Sequence, residues 1–493
     1  MSVVLNEVRR ATYFDSIVLM RISRQITGLP GVEEAGLILG TPANKDILRD
    51  AGILGPEGDG AEPGDLILAL RAKDAAAGAA ALAEAKRLLE APREAATHAG
   101  LNAFRSFRTA MRDLPDANLA LISVPGHFAT AEARKALALG MNVMIFSDNV
   151  PIADEAAIKH EARDRGLFVM GPDCGTAIIG GVPLAFANVV PRGEIGIIGA
   201  SGTGIQEVSC LIARAGHGVS HAIGTGGRDL KADVGAIATL MAIDALDADA
   251  RTKHIVLISK PPETSVAKLV LDRVARSEKP FTICFLGAAD LALPPNARAA
   301  ATLKDAADLS LGRAAELPLA SAPAVRATRG KAVRGLFAGG TFCAEAQIVF
   351  GQRGLSVASN VPVPGARPLR GATDGHVLID LGDDEFTRGR PHPMIDPAVR
   401  DRPIVDALAD RAVGVLLIDV VLGYGAHADP AAHLVRVLGE RKDGPLVIAS
   451  VTGTDGDPQP RSVQVEKLVA AGVAVAESNA EAAEMAIAAI GAG

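Results

Sequence analysis

A chain of 493 residues can hold about three domains, each with its own core. A net charge of -7 without a basic block, two tyrosines and no tryptophan argue against nucleic acid as a partner. Glu7 stands where a signal peptide needs an apolar core, and no apolar run approaches about 18 residues, so a cytoplasmic chain without membrane association is expected. The four widely spaced cysteines, Cys174, Cys210, Cys284 and Cys343, fit a reducing compartment.

Residues 1–112 alternate strand and helix, as a small α/β module. Strands are predicted near 3–8, 33–39 and 65–71, and helices at 15–27, stopped by Gly28-Leu-Pro30-Gly31, at 43–51 and at 74–90. Residues 92–116 are polar and proline-broken, and read as a connection. From Ala117 to about 190 the alternation is regular. Strands at 118–124, 142–146 and 167–170 run into Pro125-Gly126-His127-Phe128, Ser147-Asp148-Asn149-Val150-Pro151 and Gly171-Pro172-Asp173-Cys174-Gly175. Strands separated by helices of 10 to 15 residues imply right-handed βαβ units and a parallel sheet.

The stretch Gly193-Glu-Ile-Gly-Ile-Ile-Gly-Ala-Ser201-Gly202-Thr203-Gly204-Ile-Gln-Glu207 opens a further doubly wound unit, 191–290. Its β-branched residues form a buried strand, its glycines permit a sharp turn, and Ser201 or Thr203 can cap the following helix. Amides and the positive helix end then face the strand's carboxyl edge and favour an anion. The stretch is not a P-loop, because Ile205 and Gln206 replace the required Lys and Ser/Thr; nor is it a dinucleotide fingerprint, because Glu207 replaces the last Gly or Ala. An ordinary βα turn is the alternative. Later strands end in Gly224-Thr-Gly226-Gly227-Arg228-Asp229, Lys260-Pro261-Pro262 and Gly287. The carboxyl edge of such a sheet is where ligands bind.

Residues 291–330 read as a linker with one short helix, and 331–493 as another α/β unit whose turn Gly339-Gly340-Thr341 repeats the cradle. Two segments following strands are dense in polar groups. One is Asp380-Leu-Gly-Asp383-Asp384-Glu385-Phe-Thr-Arg388-Gly-Arg390-Pro391-His392-Pro393, the other Thr452-Gly453-Thr454-Asp455-Gly-Asp457-Pro-Gln459-Pro-Arg461-Ser462. Arginines beside such turns suit bidentate anion recognition, whereas solvated loops of turn formers are the competing reading.

Residues 117–290 resemble the α subunit of succinyl-CoA synthetase, in Val124-Pro-Gly-His-Phe, Phe146-Ser-Asp-Asn-Val-Pro151, Met170-Gly-Pro-Asp-Cys174-Gly, Ser201-Gly-Thr203, Gly226-Gly227 and the strand ending at Lys260. Residues 333–490 resemble the carboxy-terminal ligase domain of its β subunit. Over nearly the whole chain, Gly40-Thr-Pro-Ala-Asn-Lys45, Val169-Met-Gly-Pro-Asp-Cys-Gly-Thr176, Gly199-Ala-Ser-Gly-Thr-Gly-Ile-Gln-Glu207, Arg388-Gly-Arg-Pro-His-Pro-Met-Ile-Asp396 and Val451-Thr-Gly-Thr454 are similar to the FdrA family.

The resemblance implies a multidomain α/β fold with parallel sheets: a Rossmann-like CoA-binding-type domain at 113–190 and flavodoxin-like synthetase-type domains at 191–290 and 331–493. It implies either acyl-CoA synthesis or a subunit of oxamate carbamoyltransferase, which interconverts oxamate plus carbamoyl phosphate with oxalurate plus phosphate in allantoin catabolism. A non-catalytic structural subunit is the third possibility. The ligase mechanism needs a phosphohistidine after the strand at 280–286, yet no histidine occurs between His254 and His376. No ATP-grasp pattern is present either, so CoA or a nucleotide is a cofactor only under the ligase reading. Carbamoyl transfer instead calls for small anionic substrates and other subunits in a hetero-oligomer.

The candidate cations and proton carriers for that transfer are Lys260, Arg228, Arg388, Arg390 and His392. The candidate phosphate and substrate contacts are Asp173, Cys174 and Gly175; Ser201, Gly202, Thr203 and Gly204; Gly226 and Gly227; Gly339, Gly340 and Thr341; Asp383; and Thr452, Gly453 and Thr454. No metal is expected. Cys174 reads more readily as a buried small residue than as a nucleophile.

Overall fold

The computed structural model describes residues 2–12, 14, 16–90, 104, 106–288, 291–314, 330–371, 375–387, 391–439 and 444–491. They fall into two compact units, Met1–Ala103 with Asp384–His392, and Phe104–Asp383 with Pro393–Gly493.

In the first unit β1 (Val3–Arg9), α1 (Ser16–Thr27), β2 (Val32–Leu39), α2 (Pro42–Asp50), α3 (Pro56–Asp59), β3 (Leu66–Ala72) and α4 (Ala75–Glu90) follow the expected order. The sheet order is β1-β3-β2 with both pairings antiparallel. Side chains alternate along the central β3. Leu66, Leu68 and Leu70 meet Leu19, Ile22 and Ile26 of α1 and Ala81, Ala85 and Leu89 of α4. Ile67 and Ala69 point the other way, onto Leu48 and Ile53.

The second unit begins with α5 (Phe107–Asp113), β4 (Leu119–Ile122), α6 (Gly126–Ala138), β5 (Asn142–Ile145), α7 (Ile152–Asp164) and β6 (Val169–Met170), which form a small parallel sheet β4-β5-β6. Next come β7 (Thr176–Ile179), β8 (Val182–Ala185), β9 (Arg192–Gly199), α8 (Gly202–Arg214), β10 (Val219–Gly224), α9 (Ile237–Ala248), β11 (His254–Ser259), α10 (Thr264–Val274), β12 (Phe281–Phe285), β13 (Ala297–Ala299) and α11 (Leu303–Ser310). Their seven-stranded sheet has the order β13-β12-β11-β9-β10-β7-β8, parallel except at β7 and β8.

A second seven-stranded sheet is built from β14 (Ala332–Phe337), α12 (Gly340–Gln352), β15 (Val357–Ser359), β16 (Arg367–Pro368) and β17 (His376–Asp380), then, after α13 (Asp384–Thr387) of the first unit, α14 (Asp401–Ala409), β18 (Val413–Val421), α15 (Pro430–Leu438), β19 (Leu446–Thr452), α16 (Arg461–Ala470), β20 (Ala474–Ala476) and α17 (Asn479–Ala489). Its order is β16-β15-β17-β14-β18-β19-β20, all parallel. The fold class is therefore the multidomain α/β arrangement with parallel sheets that the alternation predicted.

Two boundaries differ from the sequence reading. The hairpin β7–β8 leaves the 113–190 segment and pairs with β10, Ile178 lying opposite Ala222. The stretch read as a linker supplies β13 to the same sheet and α11 to its core; residues 315–329 lie outside the described residues. One hydrophobic core joins the two large sheets through Ile205, Val208 and Ile212 of α8, Leu303 and Ala306 of α11, Phe342, Val349 and Phe350 of α12, and Ala480 and Ile487 of α17. A helix buried around most of its circumference, as α8 and α12 are, has no solvent face to keep polar.

Candidate functional site: two helix starts that meet

The strand β9 ends at Gly199, and Ser201 caps α8 by accepting from the Gly204 amide at 3.0 Å. The amides of Gly202 and Thr203 have no hydrogen-bond partner among the described residues. Such a helix start presents donors and a positive dipole end. The segment after Cys174 lies beside it: a Cβ on Gly202 would stand 3.1 Å from Thr176 Oγ1 and 3.8 Å from Gly175 Cα.

The second start is braced from beneath. Asp419, fully buried on β18, accepts from the Ala338 and Gly339 amides, each at 2.8 Å, and so fixes the turn into α12. Arg400, also buried, donates to Asp419 at 2.9 Å. Burial pushes the Asp419 carboxyl up, and the Arg400 guanidinium opposes the shift. With its turn held in this way, α12 begins at Gly340 and presents Thr341 in its first turn.

The two starts converge. The hydroxyls of Ser201 and Thr341 share a hydrogen bond, and a Cβ on Gly339 would come within 3.1 Å of Thr203 Cγ2. The expected cradles of 201–204 and 339–341 thus form one place. Asp380, at the carboxyl end of β17, closes one side: a Cβ on Gly340 would approach its Oδ2 to 2.5 Å. Lys260 directly follows the neighbouring sheet's β11 and exerts its positive charge on Asp380. Asp383 acts on the same carboxyl with the opposite sign. An anion-facing pair of helix starts, a lysine and a buried acid can orient a phosphorylated substrate and move a proton.

Other predicted residues do different work. The Arg228 guanidinium lies 2.9 Å from the buried Glu155 carboxylate and donates to Val150 O at 2.7 Å. Cys174 is buried and its thiol is pushed up to about 12 by desolvation, in keeping with a small buried residue. Gly226, at φ +86°, lets the chain pass Pro172 O, which a Cβ would approach to 2.3 Å; Gly227 lies next to Asp173. Gly226 therefore serves close packing.

Thr452, Gly453 and Thr454 are held by contacts within the fold. Thr452 donates to Glu207 at 2.5 Å, Thr454 donates to Val189 O at 2.7 Å, and Gly453 packs on Leu422. Arg388 and Arg390 lie outside the described residues, and His392 belongs to the first unit.

The sequence reading passed over Asp419 and the acid Asp380 as individual residues. Two signals were available. Val-Leu-Ile-Asp380 and Leu-Leu-Ile-Asp419 each end an apolar strand run in an acid, at the edge where ligands bind. Gly202-Thr203 with Glu207 and Gly340-Thr341 with Glu345 also repeat at equal spacing.

Among the described residues no helix is long and apolar enough to cross a membrane. Residues 336–489 match the CoA-ligase family model, and residues 1–103 match that of the AllF heavy metal-associated domain. Residues 1–103 hold no cysteine and a single histidine, His98, so the thiolate and imidazole donors of a soft metal site are wanting and no step is assigned to a metal.

Subunit alpha 2 of the ADP-forming succinate–CoA ligase of Archaeoglobus fulgidus is 27% identical over 169 residues, 33% of this chain and 56% of that subunit, so the match spans little more than half of the relative. A solved dinucleotide-forming acetyl-coenzyme A synthetase 1 of Ca. Korarchaeum cryptofilum overlaps 80% of this chain and 86% of its own, at 17% identity and a TM-score of 0.32. The uncharacterized protein YahF of Escherichia coli (strain K12) is 40% identical over 495 residues, 96% of both chains. With a relative of that identity along nearly its whole length, the chain belongs to the family of YahF, a succinyl-CoA synthetase-like family with a CoA-ligase domain.

Proposed function

We propose that this chain is the phosphate-handling subunit of an acyl-transfer enzyme of the acyl-CoA synthetase type, and that its reaction is carbamoyl transfer between carbamoyl phosphate and oxamate. The observation that carries the reading is the meeting of α8 and α12 at the Ser201–Thr341 hydroxyl pair, which puts two sets of first-turn amides at one place. The phosphoryl group of carbamoyl phosphate is held by these amides. The oxamate nitrogen attacks the carbamoyl carbon, the C–N bond forms, the C–O bond to phosphate breaks, and the nitrogen gives up one proton. Alignment and charge stabilisation of the departing phosphate, with Lys260 as the cation, supply the catalysis.

Two features support the carbamoyl reading over ligation: no histidine lies between His254 and His376 to carry a phosphoryl group, and the AllF name of the family model at 1–103 agrees with allantoin breakdown. Acyl-CoA synthesis is the second reading. The CoA-ligase match at 336–489 and the ligase relatives favour it.

The test is phosphate release from carbamoyl phosphate with oxamate present, by this chain alone and with its candidate partner subunits. Release coupled to oxalurate is expected. Silence in every mixture, together with nucleotide-dependent consumption of CoA and a carboxylate, would move the assignment to acyl-CoA synthesis.

A further inference from the structure

Asp380 is fixed before any ligand arrives. Its amide donates to Asn360 Oδ1 and its carbonyl accepts from Asn360 Nδ2, both at 2.9 Å. The residue is 6% exposed, and Oδ1 accepts from the Gly382 amide at 2.9 Å. Oδ2 has no hydrogen-bond partner among the described residues and is aimed at Gly340, the first residue of α12. A buried, one-sided carboxyl therefore faces the pole of a helix that also offers its amides to an anion.

The charged groups around it come from every neighbouring element: Lys260 directly after β11, Asp383 beyond β17, and Asp419 on β18 with its partner Arg400. The neutral thiol of Cys343 on α12 is also close. Burial pushes the Asp380 carboxyl up to about 6; Asp383 and Asp419 add to the shift, while Lys260 and the Gly382 amide oppose it. Two negative groups cannot share one helix pole without strong repulsion.

We propose that Asp380 is a proton-operated gate of the anion site. Ionised, it occupies the pole of α12 with its own charge and disfavours a second anion. Protonated, its Oδ2–H donates a hydrogen bond to the anion's oxygen. The inference rests on the reading of this place as phosphate-handling. In the transfer, the proton that the acceptor nitrogen loses as the C–N bond forms and the C–O bond breaks goes to the departing phosphate, while protonated Asp380 keeps its hydrogen bond to a phosphate oxygen until the phosphate leaves.

The test uses inorganic sulfate, which stays a dianion over the whole range, titrated calorimetrically into the full chain between about pH 5 and pH 8. Wild-type affinity should be level below about pH 6 and weaken towards about tenfold per pH unit above it, as linkage to one proton requires. Asp380→Asn should bind sulfate with no such dependence, and at pH 8 at least about tenfold more tightly than wild type. Asp380→Glu should restore the dependence.

A level wild-type profile, an Asn variant that keeps the slope, or an Asn variant that folds but no longer binds sulfate would overturn the gate while leaving the anion site standing. No sulfate binding by wild type at any pH would overturn the site and the gate together. Should the Asn variant not fold, the wild-type profile and Asp380→Glu decide.

Discussion

Lys159 is 1% exposed, and its ammonium is tolerated there because three acceptors converge on it: Glu155 at 2.8 Å, Asp229 at 2.7 Å and Thr225 O at 2.9 Å. Asp229 in turn accepts from Thr239 and from the first turn of α9. Lys159→Met should cost about 3–5 kcal/mol of stability by denaturant unfolding, since it leaves two buried carboxylates without their shared cation. A loss below about 1 kcal/mol would show that the acids relax or protonate freely. On sequence alone Lys159 is a polar residue in the helical stretch between the strands at 142–146 and 167–170, where a solvated face is the usual reading. Glu155 is four positions away on the same helix, but Asp229 lies 70 positions away, and only the folded chain brings it to the ammonium.

At the scale of elements, Ser201 has two tasks that different substitutions separate. It caps α8 and it joins α8 to α12. Ser201→Ala should lower stability by about 1 kcal/mol, the usual loss of a cap. Aspartate caps as well as serine does, so Ser201→Asp should melt near wild type yet bind sulfate at least about tenfold more weakly, with a carboxylate in the cradle. Calorimetric titration and thermal melting of the two variants read these outcomes separately; unchanged sulfate affinity in Ser201→Asp would remove Ser201 from the site. The cap itself was legible, because a serine before Gly-Thr-Gly after an apolar strand has few other uses. That a second helix start faces it was not, since a repeat in sequence does not say that its copies meet.

Over the whole second unit, the junction of the two large sheets carries a pH-sensitive acid. Glu345 of α12 is fully buried, accepts from the Leu303 amide at 2.6 Å and from Asn479 Nδ2 at 2.7 Å, and is pushed up to about 8 by desolvation, against its ordinary 4.5. A carboxyl raised on folding favours the protonated native state. Its contribution is full below about pH 4.5 and is lost as pH rises through about 8, at a slope of order 1 kcal/mol per pH unit. Wild-type stability should therefore fall over that window in urea unfolding at several pH values. A Glu345→Gln profile that falls just as steeply would place the titrating group elsewhere.

Sequence by itself determined the elements and the class of fold. Strand periodicity, helix length and glycine turns are local properties, and they placed β9, α8, β14 and α12 and marked both helix starts as anion-facing. The tertiary structure decided which polar residues serve those starts. It assigned Arg228 to Glu155, and Thr452 and Thr454 to packing, and it brought Asp380, from the end of a different strand, to Gly340. The reason is physical: an apolar pattern records which side of an element is buried, whereas a charge is committed by whichever opposite group the fold sets within hydrogen-bond reach, and that distance has no trace in the order of residues.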